Sequence, residues 1–211
     1  MVDLVTAPTT PKRMSREDRR ASLLDAAAEL LRTGAGPLSF EAIAEQAGVS
    51  ATLPYKYFES VDEIANELYR RIVQRVDDET DEILADDTIA FDDKVRASLH
   101  LWCDVLRDEG MLLLRLSDDV AHPSLRRSID ARRERSVDVW AAVIERSFGL
   151  EPVDARLLAG SLTAGSTAVL RRWIADRLDR VQVVERFVLM TRAQITAITD
   201  SPDPNANEDT P

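Results

Sequence analysis

The chain is poor in cysteine, glycine and aromatic residues, and it lacks long apolar runs. Its single cysteine, Cys103, excludes an intrachain disulfide framework and is typical of a protein in a reducing cytoplasm. No run approaches the roughly 18 apolar residues of a membrane span, and the N-terminal region has no apolar signal core, so we expect a cytoplasmic protein without membrane segments. With 7 glycines and 5% aromatic residues in 211 positions, the chain is expected to be mostly helical.

The net charge of −11 is unfavourable for a protein that binds nucleic acid through its whole surface. The charge is unevenly distributed, because residues 1–60 carry a balance of −1 and residues 61–211 a balance of −10. A basic cluster lies near the N-terminus and consists of Lys12, Arg13, Arg16, Arg19 and Arg20. DNA binding requires positive charge where the phosphates lie, so the acidic total does not exclude it.

The stretch from residue 38 to residue 70 has the pattern of two short amphipathic helices, joined by a glycine turn and followed by a longer helix. Ser39 is a good N-cap, and Gly48 predicts the end of the first helix because glycine adopts a positive φ at little cost. Ser50 is expected to cap a second helix over residues 51–58. The pattern A-x-x-x-G-V-S at residues 44–50 is typical of a helix-turn-helix, whose second helix enters the DNA major groove.

The motifs I-A-x-x-A-G at residues 43–48, G-V-S at 48–50 and Y-K-Y-F at 55–58 resemble the recognition segment of TetR-type (TetR/AcrR) transcriptional regulators. This resemblance implies that Ser39, Tyr55 and Lys56 contact the DNA backbone. The full set of predicted DNA-binding residues is Ser39, Ser50, Thr52, Tyr55, Lys56 and Tyr57. The chain departs from the family pattern at Pro54, where leucine is common, and at Val61, where a phosphate-binding lysine is common.

We predict an all-α protein with a three-helix DNA-binding head that contains the helix-turn-helix, and a larger helical domain for effector binding and dimerisation. The predicted parts are a flexible basic arm (1–14), the head (15–60), a connecting helix (61–85), the effector-binding and dimerisation domain (86–200) and a disordered tail (201–211). Ser15 with Asp18 and Ser60 with Glu63 have the spacing of capping boxes. Gly110 predicts a break between a helix over residues 92–109 and a short helix over residues 111–116.

The helices predicted at about residues 153–177 and 181–198 are apolar on more than one side, and the first is rich in small residues that allow close packing. A helix of this kind is buried against more than one partner. One subunit offers too few elements to cover both helices. We therefore expect a homodimer with a four-helix interface, which is also the arrangement that the TetR-type resemblance implies.

A cavity for a small, largely apolar effector is expected among the helices of the larger domain. Its candidate lining residues are His100, Trp102, Cys103, Met111, Arg115, Trp140 and Trp173. For each of them the alternative is an ordinary core position or, for Arg115, a solvent-facing one. His100, Cys103 and Asp104 include zinc-ligand types, but no spacing motif supports a metal site. No cofactor motif or catalytic pair is present either, so we expect neither a cofactor nor enzymatic activity.

The motifs favour a sequence-specific DNA-binding transcriptional regulator. The TetR-type resemblance implies a repressor that a small-molecule effector releases from a near-palindromic double-stranded DNA operator. The alternative is a helical small-molecule-binding protein or enzyme with a vestigial DNA-binding head. That alternative is supported by the departures at Pro54 and Val61 and by the low net charge of the head. A third hypothesis, a purely structural helical dimer, leaves the basic cluster at residues 12–20 unexplained.

Overall fold

The structure, a computed structural model, describes residues 14–118 and 122–200. Within these ranges, it describes only the backbone at Met111, Leu114, Ser117 and Asp118. The described residues form seven α-helices and one turn of 3-10 helix, and they include no β-strand. The all-α prediction is therefore confirmed. The predicted basic arm, apart from Met14, and the predicted tail lie outside the described residues.

Contacts along the chain divide it into two compact units. The first, which we call the head, ends at Ile64, and the second, which we call the body, begins at Ala65. The head contains α1 (Arg16–Thr33), α2 (Phe40–Gln46), a 3-10 helix (Pro54–Lys56) and the first four residues of α3 (Val61–Ala85). The body contains the rest of α3, with α4 (Phe91–Asp118), α5 (Pro123–Phe148), α6 (Pro152–Asp176) and α7 (Arg180–Thr199).

Local capping fixes both ends of α1. The Ser15 hydroxyl accepts a hydrogen bond from the Asp18 N–H at 3.0 Å, and an Asp18 carboxylate oxygen accepts one from the Ser15 N–H at 3.3 Å. This reciprocal pair is the predicted capping box, which satisfies two N–H groups that have no partner within the helix. At the other end, Gly34 adopts φ 70° and donates its N–H to the Leu30 carbonyl.

The second helix of the predicted helix-turn-helix is shorter than expected. Residues 51–53 form a turn, and only Pro54–Lys56 are helical, with the narrower 3-10 pattern. The Leu53 N–H donates to Ser50 at 2.9 Å and the Lys56 N–H to Leu53 at 3.0 Å, so the bonds span three residues. Pro54 has no N–H, so the bond from residue 54 to the Ser50 carbonyl that a regular α-helix would make cannot form, and the Leu53 N–H bonds to that carbonyl instead.

A small apolar core holds the head together. Leu23, Leu24, Ile43 and Ile64 are completely buried, and burial of each such side chain stabilises the fold by about 1.5–3 kcal/mol. Arg20 closes one side of this core, because its guanidinium lies 4.5 Å from the ring centre of Phe58. This residue of the predicted basic cluster therefore has a structural role in the head.

The body differs from the sequence prediction at Gly110. Residues 91–118 form the single helix α4, in place of two helices separated at this glycine. An internal glycine costs a helix only about 1 kcal/mol, which the packing of a long apolar face can offset. Gly110 is buried, and a Cβ atom placed on it would make an ordinary contact with Ile174 Cδ1 of α6, at 3.7 Å, so this part of α4 packs against α6. Among the described residues, no helix has the length and apolar character needed to cross a bilayer.

Ion pairs connect α4 to α7 along one side of the body. Arg192 contacts Asp92 at 2.9 Å, and Arg96 contacts Glu185 at 2.6 Å. Arg180 binds both carboxylate oxygens of Asp104, at 2.7 and 3.1 Å, and also donates to the His100 carbonyl at 2.9 Å. These pairs fix the register of two helices whose apolar faces pack in the core.

Candidate functional site

The N-terminus of α2 and the 3-10 helix form one exposed edge of the head. Ser39 caps α2, and its hydroxyl accepts a hydrogen bond from the Ala42 N–H at 3.1 Å. The ring of Tyr55, in the 3-10 helix, packs edge-on against Phe40 of α2 with the ring centres 4.4 Å apart. The phenolic O–H of Tyr55 donates to the Glu41 carboxylate at 3.0 Å. The structure therefore brings Ser39 and Tyr55, predicted separately from the sequence, to the same edge.

The charge state of this edge follows from its hydrogen bonds. The pKa of Glu41 is lowered, first by a hydrogen bond from its own backbone N–H and then by the O–H of Tyr55. The same bond raises the pKa of Tyr55, since the proton is held between the two groups. Near neutral pH the edge thus presents a carboxylate beside a protonated phenol. A phosphate group that approaches Tyr55 has to compete with Glu41 for the single phenolic proton.

The remaining predicted DNA-binding residues lie in the turn and the 3-10 helix that follow α2. Gly48 adopts φ 64°, a conformation that favours glycine, and so allows the chain to turn sharply. The hydroxyls of Ser50 and Thr52 lie 3.5 Å apart, and both residues are exposed. Lys56 is exposed, whereas Tyr57 is half-buried. This surface offers hydroxyls and one ammonium group, which are donors suited to phosphate oxygens and base edges.

A cavity of about 290 Å³ lies in the body among α3, α4, α5 and α6. Leucine and isoleucine side chains form much of its wall, and they are Leu106, Leu113, Leu116, Leu125, Ile129, Leu170 and Ile174. Arginines also line it, and Arg126 and Arg133 among them are exposed, which shows that the cavity reaches the surface. Its volume lies near the lower end of the range for small-molecule sites.

A second, smaller cavity of about 70 Å³ shares several wall residues with the first. The Arg132 guanidinium contributes to both, and it lies 4.7 Å from the ring centre of Trp102, which also lines both. Arg132 Nε donates to Asp77 of α3 at 2.9 Å, and Arg135 donates to the same carboxylate at 2.9 Å. The two cavities are therefore adjacent, with a tightly bonded ion pair in the wall of the smaller one.

The structure distributes the predicted effector-pocket residues over several places. Trp102 lines both cavities, and Trp140 lines the smaller one. Cys103 lies in the core, where burial raises the pKa of its thiol, and Trp173 packs against that core. The side chain of Arg115 is exposed. The side chain of Met111 lies outside the described part of the structure.

His100 takes part in the contact between α4 and α7. Its Nδ1 accepts a hydrogen bond from Arg180 Nε at 2.9 Å, so the imidazole is neutral when this bond is made. Burial and the adjacent guanidinium both lower the pKa of His100. Within residues 14–118 and 122–200, no group of three histidine, cysteine or acidic side chains has the arrangement of a metal site.

Sequence reasoning missed most of the cavity wall, including Tyr69 and Val73 of α3 and the arginines of α5. The five arginines between residues 126 and 135 are a visible feature of the sequence. Their position beside a cavity is not visible, because Asp77, which orients Arg132, lies 55 residues away in the chain. The bond between Glu41 and Tyr55 was also missed, since no local motif pairs these two positions.

Comparison with known proteins agrees with the architecture of the head. The family model of bacterial regulatory proteins of the tetR family matches residues 23–68, which extend from α1 into α3. The HTH-type transcriptional activator FasR of Mycolicibacterium smegmatis is 30% identical over 184 residues, or 83% of this chain and 82% of FasR. The chain belongs to the tetR family of bacterial regulatory proteins. It is accordingly a DNA-binding transcriptional regulator.

Solved structures of other tetR-family regulators share this fold. A TetR-like regulator from Rhodococcus sp. RHA1 superimposes with a TM-score of 0.71 at 20% identity and covers 90% of this chain and 100% of its own. NalD of Pseudomonas aeruginosa, the secondary repressor of the MexAB-OprM multidrug efflux pump, has a TM-score of 0.67 at 17% identity, with coverage of 84% and 95%. At these identities the likeness concerns the fold alone.

Proposed function

We propose that this tetR-family regulator is a homodimeric repressor that binds a near-palindromic operator and is released by a small molecule in the body cavity. The observation that carries the proposal is the exposed edge of the head, where Ser39, Tyr55 and Lys56 lie near the N-terminus of α2 and in the 3-10 helix. The side chains and free N–H groups there are suited to the DNA backbone, and the hydroxyls of Ser50 and Thr52 are groups that can hydrogen-bond to base edges.

Apolar residues that face solvent support a dimer through α6 and α7. In α6, Val153 is 71% exposed and Leu157 66%, and in α7, Val181 is 61% and Leu189 59% exposed. Large apolar side chains grouped on adjacent helices mark a protein-binding surface. The Ser161 hydroxyl donates to Gln194 at 3.1 Å and joins the two helices within one subunit. A second copy of the same surface, related by a two-fold axis, would bury these exposed apolar residues of α6 and α7 in a four-helix interface.

Ligand control is supported by the position of the cavity beside α3. Tyr69 and Val73 line the cavity, while the first residues of the same helix belong to the head. A ligand can shift an equilibrium only through its different affinity for the two states, and such coupling is typically about 1–3 kcal/mol. A molecule that fits the cavity in only one of two positions of α3 would have such a difference in affinity.

Activation is the second candidate, because FasR, which is 30% identical to this chain, is named a transcriptional activator. In vitro transcription from the bound promoter, with and without the protein, separates the two directions. Repression lowers the amount of transcript and activation raises it. A small molecule that abolishes either effect would identify the effector.

DNA binding is tested by a fluorescence-anisotropy titration with the DNA upstream of this protein's own coding region, at about 0.05 M and 0.2 M salt. We expect Lys56→Ala to weaken binding at all sequences and to reduce the salt slope by about 1 per head. Tyr55→Phe tests the hydroxyl while keeping the ring on Phe40. Arg146→Ala, an exposed position in the body, is the control for the loss of one charge.

If wild type binds this DNA no better than random DNA, selection of bound genomic fragments is the next step, and failure there contradicts the proposal. For the dimer, we expect Leu157→Glu and Leu189→Glu to give monomers in analytical ultracentrifugation and to weaken DNA binding. Met14→Glu changes an exposed apolar residue of the head and should leave the dimer intact. A dimer that survives both substitutions contradicts the interface.

A further inference from the structure

The smaller cavity is surrounded by buried hydroxyl groups that have no hydrogen-bond partner among the described residues. They are Thr80 Oγ1 of α3, Ser98 Oγ of α4 and Thr163 Oγ1 of α6. Ser98 is only 7% exposed. A buried polar group without a partner is costly, and the large majority of such groups are satisfied in native proteins. Three such hydroxyls around one cavity of about 70 Å³ therefore indicate a polar occupant.

The charges in the wall of this cavity indicate that the occupant is neutral. Asp77 and Asp81 line it together with Arg132 and Arg135, so the acidic and basic groups are equal in number. Both arginines already donate to the Asp77 carboxylate. An anion would be repelled by Asp77, and a cation by the two guanidinium groups. A hydroxyl or carbonyl oxygen needs no counter-charge and can bond to the free hydroxyls.

The adjacent larger cavity provides room for the apolar part of the same molecule. Trp102, Arg132 and Thr163 line both cavities. Leucines line both cavities too, but only the larger one has room for an apolar chain. If each non-hydrogen atom takes about the 30 Å³ that a water molecule occupies in the liquid, the larger cavity holds roughly ten atoms and the smaller about two. The pair therefore matches an apolar chain with a single polar end.

We propose that the two cavities form one ligand site for a small neutral amphiphile, with its hydroxyl or carbonyl oxygen among Thr80, Ser98 and Thr163 and its apolar part in the larger cavity. This inference rests on the proposed function, because it specifies the effector of that site. It also specifies the orientation of the bound molecule, whose polar end lies toward the ion pair of Asp77 and Arg132.

The test is calorimetric titration of the full-length protein with probes of equal chain length and different polar ends. Hexan-1-ol and hexan-2-one supply a hydroxyl and a carbonyl, 1-fluorohexane supplies neither, and hexanoate supplies an anion. We expect the alcohol, the ketone or both to bind about tenfold tighter than 1-fluorohexane, as a hydrogen bond to an otherwise unpaired group allows. Hexanoate should bind more weakly than the tighter of the two neutral probes.

Variants without a single hydroxyl test where the polar end lies. Thr163→Val and Ser98→Ala should weaken binding of the tighter neutral probe about two- to tenfold and leave 1-fluorohexane unaffected. Thr167→Val is the matched control, because its hydroxyl lines only the larger cavity and already lies 3.2 Å from the Thr163 carbonyl. Circular dichroism shows whether each variant is folded. Thermal unfolding without probe adds a second readout, since loss of an unpaired buried hydroxyl should not destabilise the empty protein.

The proposal is overturned if 1-fluorohexane or hexanoate binds as tightly as both neutral probes, or if Thr163→Val and Ser98→Ala behave like Thr167→Val. It is also overturned if no probe binds, an outcome that leaves DNA binding by the head intact. If hexan-1-ol binds through the hydroxyls without changing operator affinity, the ligand site stands and the release mechanism fails. The two ideas can thus be rejected separately.

Discussion

Glu41 should reduce the affinity of the head for DNA, and its removal should increase it. Its carboxylate accepts the only proton of the Tyr55 hydroxyl at 3.0 Å, at the edge that we propose contacts phosphate. If a phosphate oxygen takes up that proton, it and the carboxylate lie at most about 6 Å apart, since both are within hydrogen-bond reach of one hydroxyl. Glu41→Gln removes the repulsion, and the amide no longer competes as a charged acceptor.

The expected gain follows from Coulomb's law in water. Two unit charges about 6 Å apart repel by roughly 1.2 RT, and salt at about 0.15 M halves this value. Two heads of a dimer then give an approximately threefold increase in operator affinity at that salt concentration. At about 0.01 M salt screening is weak, and the increase becomes roughly sevenfold.

Fluorescence anisotropy with operator DNA at the two salt concentrations measures this effect. Glu29→Gln is the control, because it removes the same charge from α1 of the same head, where Glu29 pairs with Arg32 at 3.6 Å. Tyr55→Phe should weaken binding more in the Glu41→Gln background than in wild type, since the phenolic proton is then free for phosphate. Equal affinities of the Glu41→Gln and Glu29→Gln proteins would refute the placement of Tyr55 at the DNA backbone.

Three further predictions concern stability. Asp77→Asn should lower the free energy of unfolding by about 2 kcal/mol, a value between those for exposed and buried ion pairs, and should lower the thermal midpoint by about 4–8 °C. The control, Asp87→Asn, changes a side chain that is 84% exposed and should have no measurable effect. Arg177→Gly should raise stability by about 0.5–1 kcal/mol in urea unfolding, because Arg177 has φ 51°, and an unchanged or lower value would contradict a strained backbone there. Burial and Arg180 lower the pKa of His100 in the folded protein, so as the pH falls the unfolded chain protonates this histidine first. The thermal midpoint should therefore fall as the pH drops below about 6.5, and the part of this fall that His100 causes should be missing from His100→Gln.

The parts of the fold that could be predicted from sequence are those with local causes. The capping box of Ser15 and Asp18 and the turn at Gly48 depend on residues within a few positions of each other. The two errors have different causes. At Gly110 packing outweighs local preference, because this residue has the local character of a helix end but lies inside α4, buried against α6. At Pro54 the cause is local, because the proline was expected to be harmless in the first turn of a helix, yet without its N–H the segment is a single 3-10 turn.

The candidate sites also differ in whether their residues are close together in the sequence. The DNA-facing residues follow one another in a short motif, so a sequence pattern can indicate them. The cavities are built from four helices that meet only in the folded chain, and their most informative groups are Thr80, Ser98 and Thr163. Serine and threonine on helices are common on exposed faces and give no sequence pattern for a buried site. Only the absence of a hydrogen-bond partner among the residues that the structure describes distinguishes these three, and that is a property of the fold.

The charge of the head places a limit on how it binds DNA. Its described residues hold 5 lysines and arginines and 9 aspartates and glutamates, a balance of −4. One of the five, Arg20, is already engaged by Glu63 at 3.0 Å and by the ring of Phe58. Among residues 14–64, few cations are therefore left to displace counterions from the phosphates, so this part of the chain should contribute little non-specific affinity and a shallow salt slope. Binding that depends on hydroxyls, N–H groups and base contacts loses more when the sequence is wrong, which favours discrimination of an operator over bulk DNA.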